Sequence, residues 1–143
     1  MKEKDLYQVS LKLILKNKEG AILILKGAEG GTYSGYYDLP GGRIDTDEFS
    51  TPIETIIGRE IKEEIGDIKY SLNSKPVAVG RHALIKNEKE THILYIFFEA
   101  QHLGGDIKIS DEHGNFEWVN LGDAELSKFF KSGILEGVQA YCR

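Results

Sequence analysis

The stretch from Thr51 to Gly66 places apolar and acidic side chains on one stripe of a single predicted helix, and few folds can accommodate that. Thr51-Pro52-Ile53-Glu54 reads as the helix start, with Thr51 at the cap, Pro52 in the first turn and Glu54 three residues after the cap. Gly66 is a fitting stop. With Glu60 at zero and about 100 degrees per residue, Ile53 falls at about 20 degrees, Ile56 at about −40 and Ile57 at about 60. Glu64 falls at about 40 degrees and Glu63 at about −60 by the same step. The isoleucines fix the inward side, so Glu60, Glu63 and Glu64 continue an inward stripe, while Thr55, Gly58 and Lys62 lie opposite. Like charges at this spacing repel by about 0.2–0.5 kcal/mol even on a solvated helix. A hard divalent cation with oxygen ligands would relieve the conflict. A solvated acidic helix end is the plain alternative, and spacing alone leaves both readings open. Arg59, four residues before Glu63, is placed to hold a carboxylate or to form an ordinary helix ion pair.

Composition removes several classes of function. The net charge of −5 argues against a nucleic-acid footprint. The single cysteine, Cys142, rules out an intrachain disulfide and a thiol-rich zinc site, which suits a reducing cytoplasm. The charged N-terminus lacks the apolar stretch of a signal peptide, and apolar runs such as 93–98 are too short to span a bilayer. No repeat or linker divides the chain, so residues 1–143 are expected to form one domain.

Around the helix, the pattern is mostly that of strands. Residues 9–15 and 21–25, separated by Asn17-Lys18-Glu19-Gly20, predict a hairpin. Residues 27–36 are glycine-rich and read as a loop; 37–40 is short and extended. Residues 68–72, 77–85 and 116–119 predict further strands. Residues 91–101 are the strongest strand candidate, apolar enough to be buried on both faces. Residues 123–131 and 134–141 predict terminal helices. Tyr33, Tyr36 and Tyr37 could stack on a base or pack on the sheet, and the four histidines show no close metal-ligand spacing.

Extended upstream, the helix motif resembles the signature of the Nudix hydrolases. That signature is Gly, five residues, Glu, a spacer, then Arg-Glu-apolar-any-Glu-Glu-any-Gly-apolar. Gly42 and Glu48 match its first part, residues 59–66 match its second, and Leu39-Pro40-Gly41-Gly42 resembles the usual approach to it. There are two departures. Ten residues, 49–58, separate Glu48 from Arg59 where seven are usual, and Asp67 stands where an apolar residue is usual. Asp111-Glu112-His113, leading to Phe116 and Trp118, resembles the family's late acidic loop.

The resemblance implies an α/β (α+β) fold, a Nudix-like α/β/α sandwich with a mixed sheet between helices and a loop-helix-loop motif. It implies hydrolysis of a phosphoanhydride bond in a small nucleotide compound. Glu60, Glu63 and Glu64 would hold Mg2+ or Mn2+, with Gly41 as a backbone ligand and Glu112 as a further ligand or base. Glu60 or Glu112 would be the general base and Arg43 would contact a phosphate. Gly42, Glu48, Arg59 and Gly66 would orient the motif. Some subfamilies acting on ADP-ribose or dinucleoside polyphosphates carry a marker Pro or Tyr about fifteen to eighteen residues after the motif; residues 82–85 contain neither. This favours a nucleoside triphosphate, an oxidised one included, cleaved to monophosphate and pyrophosphate. An ADP-sugar or dinucleoside polyphosphate pyrophosphatase, or a non-catalytic nucleotide-binding module, are the alternatives. A terminal helix or an edge strand could pair subunits into a homodimer.

Overall fold

The computed structural model describes residues 1–111, 113–122 and 125–143. Its centre is a parallel pair of strands, β1 (Tyr7–Lys16) and β7 (Lys89–Gly104), in register from Tyr7 opposite His92 to Lys16 opposite Gln101. Every other strand pairing is antiparallel, which makes the sheet mixed. β5 (Lys69–Leu72) and β6 (Ala78–Lys86) pair with β7. β6 and β7 are joined by a two-residue turn in which Asn87 and Glu88 both have positive φ, the geometry that matches strand twist.

The expected hairpin of the first two strands forms only at its base. β1 meets β2 (Ile22–Gly27) in a single registered pair, Lys16 and Ile22, beside the turn capped by the Asn17 side chain. Beyond it the strands part. β2 pairs instead with β3 (Tyr37–Asp38) and β8 (His113–Val119). The opening beside β1 is filled by β4 (Gly41–Arg43), with Leu11 opposite Gly42 and Lys12 opposite Gly41.

Two apolar clusters lie on opposite faces of the sheet, as strand alternation requires. Leu11, Leu13 and Leu15 point to one face, where they meet Ile56, Ile57, Ile61 and Ile65 of α1 (Ile53–Ile65). Ile14, Tyr95 and Phe97 point to the other, beneath α3 (Ser132–Cys142). β7 is thus buried on both faces, as its composition predicts. α3 lies close against the sheet because glycines face each other there. A Cβ on Gly80 would stand 2.1 Å from the Gly133 carbonyl oxygen, and one on Gly137 would stand 2.0 Å from the Phe97 ring.

The helix boundaries differ from expectation in two places. Pro52, not Thr51, occupies the cap position of α1, and no side chain caps that end. The helix predicted over 123–131 is the short α2 (Leu126–Phe129); Phe130 leaves it in extended geometry to become fully buried, and residues 123 and 124 lie outside the described residues. No helix among the described residues is long and apolar enough to cross a membrane.

Candidate active site

The site grows from the contact between β4 and α1. Gly41 has φ of +134°, and a Cβ there would stand 1.9 Å from the Leu11 carbonyl oxygen, so only glycine lies this close to β1. A Cβ on Gly42 would stand 2.2 Å from Glu60 Oε2. The glycine pair thus makes a side-chain-free bed on which the helix carboxylates rest. The Gly41 amide faces Glu64 Oε2 at 3.4 Å. At the other end of α1, Gly66 takes φ of +92° and ends the helix. The Lys108 amide donates to the Ile65 carbonyl and the Ser110 amide to the Glu64 carbonyl, both at 2.9 Å, so the segment after β7 is tied to the helix end.

One cavity of about 460 Å³ is lined by Gly41, Gly42, Arg43, Arg59, Glu60, Glu63 and Glu64, with Asp45 and Ser110. Glu60 and Glu64 are buried, whereas the Glu63 side chain is 60% exposed. Helical phase explains the difference. The buried arc also takes in Ile61 and Ile65, so it is centred to one side of Glu60, and Glu63 falls at its solvent edge. Ile53, expected inward, is exposed in the first turn.

Arg59 organises the rim. It donates to Glu48 through Nε and one terminal nitrogen at 2.7 and 2.6 Å, a two-pronged contact. Its other terminal nitrogen donates to Glu60 at 2.8 Å and Glu63 at 3.4 Å. The longer spacer therefore leaves the Glu48–Arg59 contact intact: Glu48 sits in a short 3-10 turn, Thr46–Glu48, and its carboxylate accepts from the Asp45 amide as well. Arg43 reaches the cavity from β4 and donates to the Gln8 side chain at 2.9 Å. Glu112 lies outside the described residues.

The electrostatics follow from burial. Burial pushes the Glu64 carboxyl up to about 8, with nearby Asp38 adding to the rise and Lys12 opposing it. Burial also raises Glu60, against the pull of Arg59. Glu48 is held below its ordinary range, chiefly by the hydrogen bonds from Arg59. Among the described residues no three Asp, Glu, His or Cys side chains converge closely enough to hold a metal ion. Arg59 draws Glu60 and Glu63 aside, and Glu64 faces the Gly41 amide. The donors nonetheless suit a hard cation: they are oxygens, two are buried, and the bed beneath them is bare backbone.

Lys12 and Asp38 also stand at the site, outside any sequence motif. Lys12 is buried and lies 3.1 Å from Asp38, with the Leu39 carbonyl at 3.3 Å. The available signal was that Ser10, Lys12 and Ile14 share one face of β1, the last of them apolar. Tyr33 is buried and bonded to the Tyr95 hydroxyl at 2.8 Å, and Tyr37 packs on Phe129.

Comparison with known proteins identifies the family. Residues 6–137 match the family described as NUDIX domain. The nucleoside triphosphatase NudI of Escherichia coli O81 (strain ED1a) is 28% identical over 121 residues, 76% of this chain and 79% of the relative. The MutT protein of Methanosarcina mazei Go1 superposes with a TM-score of 0.61 at 27% identity, over 85% of this chain and 82% of that one. A MutT NUDIX hydrolase from Burkholderia pseudomallei shares the fold, with a TM-score of 0.64 at 21% identity over 96% of this chain and 97% of that one. A mixed sheet between helices is thus a shared architecture, and the chain belongs to the Nudix hydrolase family of pyrophosphohydrolases.

Proposed function

We propose that this hydrolase cleaves nucleoside triphosphates to monophosphate and pyrophosphate, with Mg2+ as the working cation and Mn2+ as a substitute. The observation that carries the reading is the pair of buried carboxylates, Glu60 and Glu64, resting on Gly41-Gly42 within one cavity that Arg43 also lines. The relative named a nucleoside triphosphatase, matched over 79% of its length, supports the choice of substrate.

Glu60 and Glu64 would hold the cation, with the Gly41 carbonyl beside them, Glu63 swinging in from the rim and Glu112 completing the set. A bound divalent ion supplies charge neutralisation at the phosphate oxygens and a more acidic water. The chain's own residues supply position. Arg43 faces the phosphates from β4, where a guanidinium can donate two hydrogen bonds to one phosphate. Arg59 fixes Glu60 and Glu48 relative to each other. Glu60 or Glu112 would accept the proton of the attacking water, which adds to a phosphorus of the α–β anhydride as its bond to the bridging oxygen breaks, so that monophosphate and pyrophosphate separate. Gly42, Glu48 and Gly66 shape the motif without touching substrate.

A panel of nucleoside triphosphates, ADP-ribose and a dinucleoside tetraphosphate, each with Mg2+ and with Mn2+, tests this when products are identified. Monophosphate with pyrophosphate from the triphosphates is the expected result. Preferential cleavage of ADP-ribose or of the dinucleoside would overturn the substrate assignment. Glu64→Gln should keep the melting temperature within a few degrees and lose roughly 10²- to 10⁴-fold in turnover, the range for a residue central to the proton and charge chemistry. Unchanged turnover in a folded E64Q would remove Glu64 from the machinery.

A further inference from the structure

Beside Glu64 lies a second cavity, of about 180 Å³, lined by Gly27, Gly31, Tyr33, Asp38, Glu64 and His113 among others. Glu64 borders both spaces, so they are neighbours. Among the described residues neither Lys nor Arg lines this one, and two carboxylates do. Its wall would repel phosphate, and it suits the nucleoside end of a substrate whose phosphates lie beside Glu60 and Arg43.

The glycine-rich loop gives this cavity a defined shape. The Gly27 amide donates to the Tyr36 carbonyl at 2.9 Å, and a Cβ on Gly27 would stand 2.1 Å from the Tyr33 carbonyl oxygen. The loop therefore folds tightly back over Tyr33, whose hydroxyl is anchored to Tyr95.

Asp38 is the polar group most firmly fixed in this wall. Lys12 Nζ lies 3.1 Å from each of its carboxylate oxygens, and the Leu39 amide donates to Oδ1 at 2.7 Å. Lys12 also sits over the Tyr95 ring, 5.7 Å from its centroid. An ionised carboxylate accepts at about four lone-pair positions, so Oδ2 keeps one open. Burying a Lys–Asp pair is at best a modest gain in stability, and apolar replacement of such pairs is often neutral or stabilising. The pair therefore has little structural justification, while its position beside the reaction site gives it a chemical one.

We infer that Asp38, oriented by Lys12, is a specificity-determining residue that accepts a hydrogen bond from the exocyclic amino group of the substrate's base. At the matching ring position adenine and cytosine offer an amino donor, whereas guanine, uracil and thymine present a carbonyl oxygen, which a carboxylate repels. The inference rests on the nucleotide reading of the site given above. A site built to pair with a donor discriminates strongly against an analogue that lacks one, because its buried acceptor is then left unpaired.

The test uses the whole chain, wild type and the double variant Lys12→Met/Asp38→Leu, which removes the pair without leaving a lone buried charge. Two measurements are made on each: kcat/KM for ATP, CTP, GTP, UTP and dTTP, and equilibrium binding of AMP, CMP, GMP and UMP. Wild type should favour the adenine and cytosine nucleotides over those of guanine, uracil and thymine at least about tenfold, in both measurements, and the folded double variant should bring the ratio to within about twofold. A structural role alone predicts that all substrates fall together and the ratio survives; that result overturns the inference, as does an absence of preference in wild type or of monophosphate binding. If no triphosphate is turned over but the monophosphates show the preference and the double variant loses it, the substrate reading fails and the role of Asp38 stands. Should the double variant not fold, Asp38→Asn is measured instead, and an unchanged ratio in it overturns the inference.

Discussion

Glu60 Oε2 lies 2.2 Å from the point where a Cβ on Gly42 would stand, so the carboxylate occupies the space that any larger residue would claim. The obstacle is the far end of a side chain rather than backbone, which means that Glu60 can yield. Gly42→Ala should therefore leave the fold intact while moving Glu60. Turnover should fall by about 10²-fold, the scale of a displacement of about 1 Å in a reacting site. Steady-state kinetics beside a melting curve check this; a large loss of stability with normal specific activity in the folded fraction would contradict it.

Gly41→Ala makes the contrasting case. Its Cβ would meet the Leu11 carbonyl oxygen at 1.9 Å, and its φ of +134° is strained for any L side chain. Neither can relax by a rotamer change, because both belong to the β1–β4 pairing. We expect a stability loss of about 1–3 kcal/mol, read as a lower urea midpoint with an unchanged slope.

The pH response of the cation-free protein follows from Glu64. Its carboxyl is raised by burial to about 8 from an ordinary value of 4.5, so between these values the folded state holds a proton that the unfolded state has lost. Stability must then decline as pH rises through that window. A bound cation requires the ionised form, so cation affinity should climb over the same window and Mg2+ should offset the decline. Melting curves from pH 5 to 9, with and without Mg2+, check both, and Glu64→Gln should flatten the cation-free slope.

Glu48 behaves in the opposite sense. Arg59 holds its carboxyl below the ordinary 4.5, so its contribution is present above that pH and is lost as pH falls through the depressed value. Glu48→Gln should make the acid limb of the stability profile shallower. It should also lower activity, because Arg59 loses one of the two anchors that fix it beside Glu60.

The packing of α3 is equally specific. A Cβ on Gly137 would stand 2.0 Å from the Phe97 ring, which is itself fully buried. Gly137→Ala should cost about 1–3 kcal/mol, the usual range for overpacking. Denaturant unfolding monitored on the single tryptophan would show it, with substrate discrimination unchanged.

Local pattern was enough to locate α1, β1, β7 and the carboxylates, because helical phase and strand alternation are properties of neighbouring residues. The family signature likewise lies within one short stretch, from Gly42 to Gly66. What it could not specify was how far each element is buried, since that depends on what packs opposite. The buried arc of α1 is set by the leucines of β1, so Glu63 ended at the solvent edge, while Ile53, within the arc by phase, stays exposed in the first turn.

The partnerships of the glycines and of Lys12 were beyond reach for the same reason. Gly42 meets Glu60, and Lys12 meets Asp38 across 26 residues of chain. A charged residue in an alternating strand reads as solvent-facing until tertiary structure puts a carboxylate and a tyrosine ring against it. The sequence by itself determined α1, the long strands, the family and the acidic motif, because each is written in local spacing. Only the tertiary structure decided which carboxylates are buried, that Glu48 reaches Arg59 across the longer spacer, and that Asp38 shares a wall with Glu64, because those are distances between segments that only packing brings together.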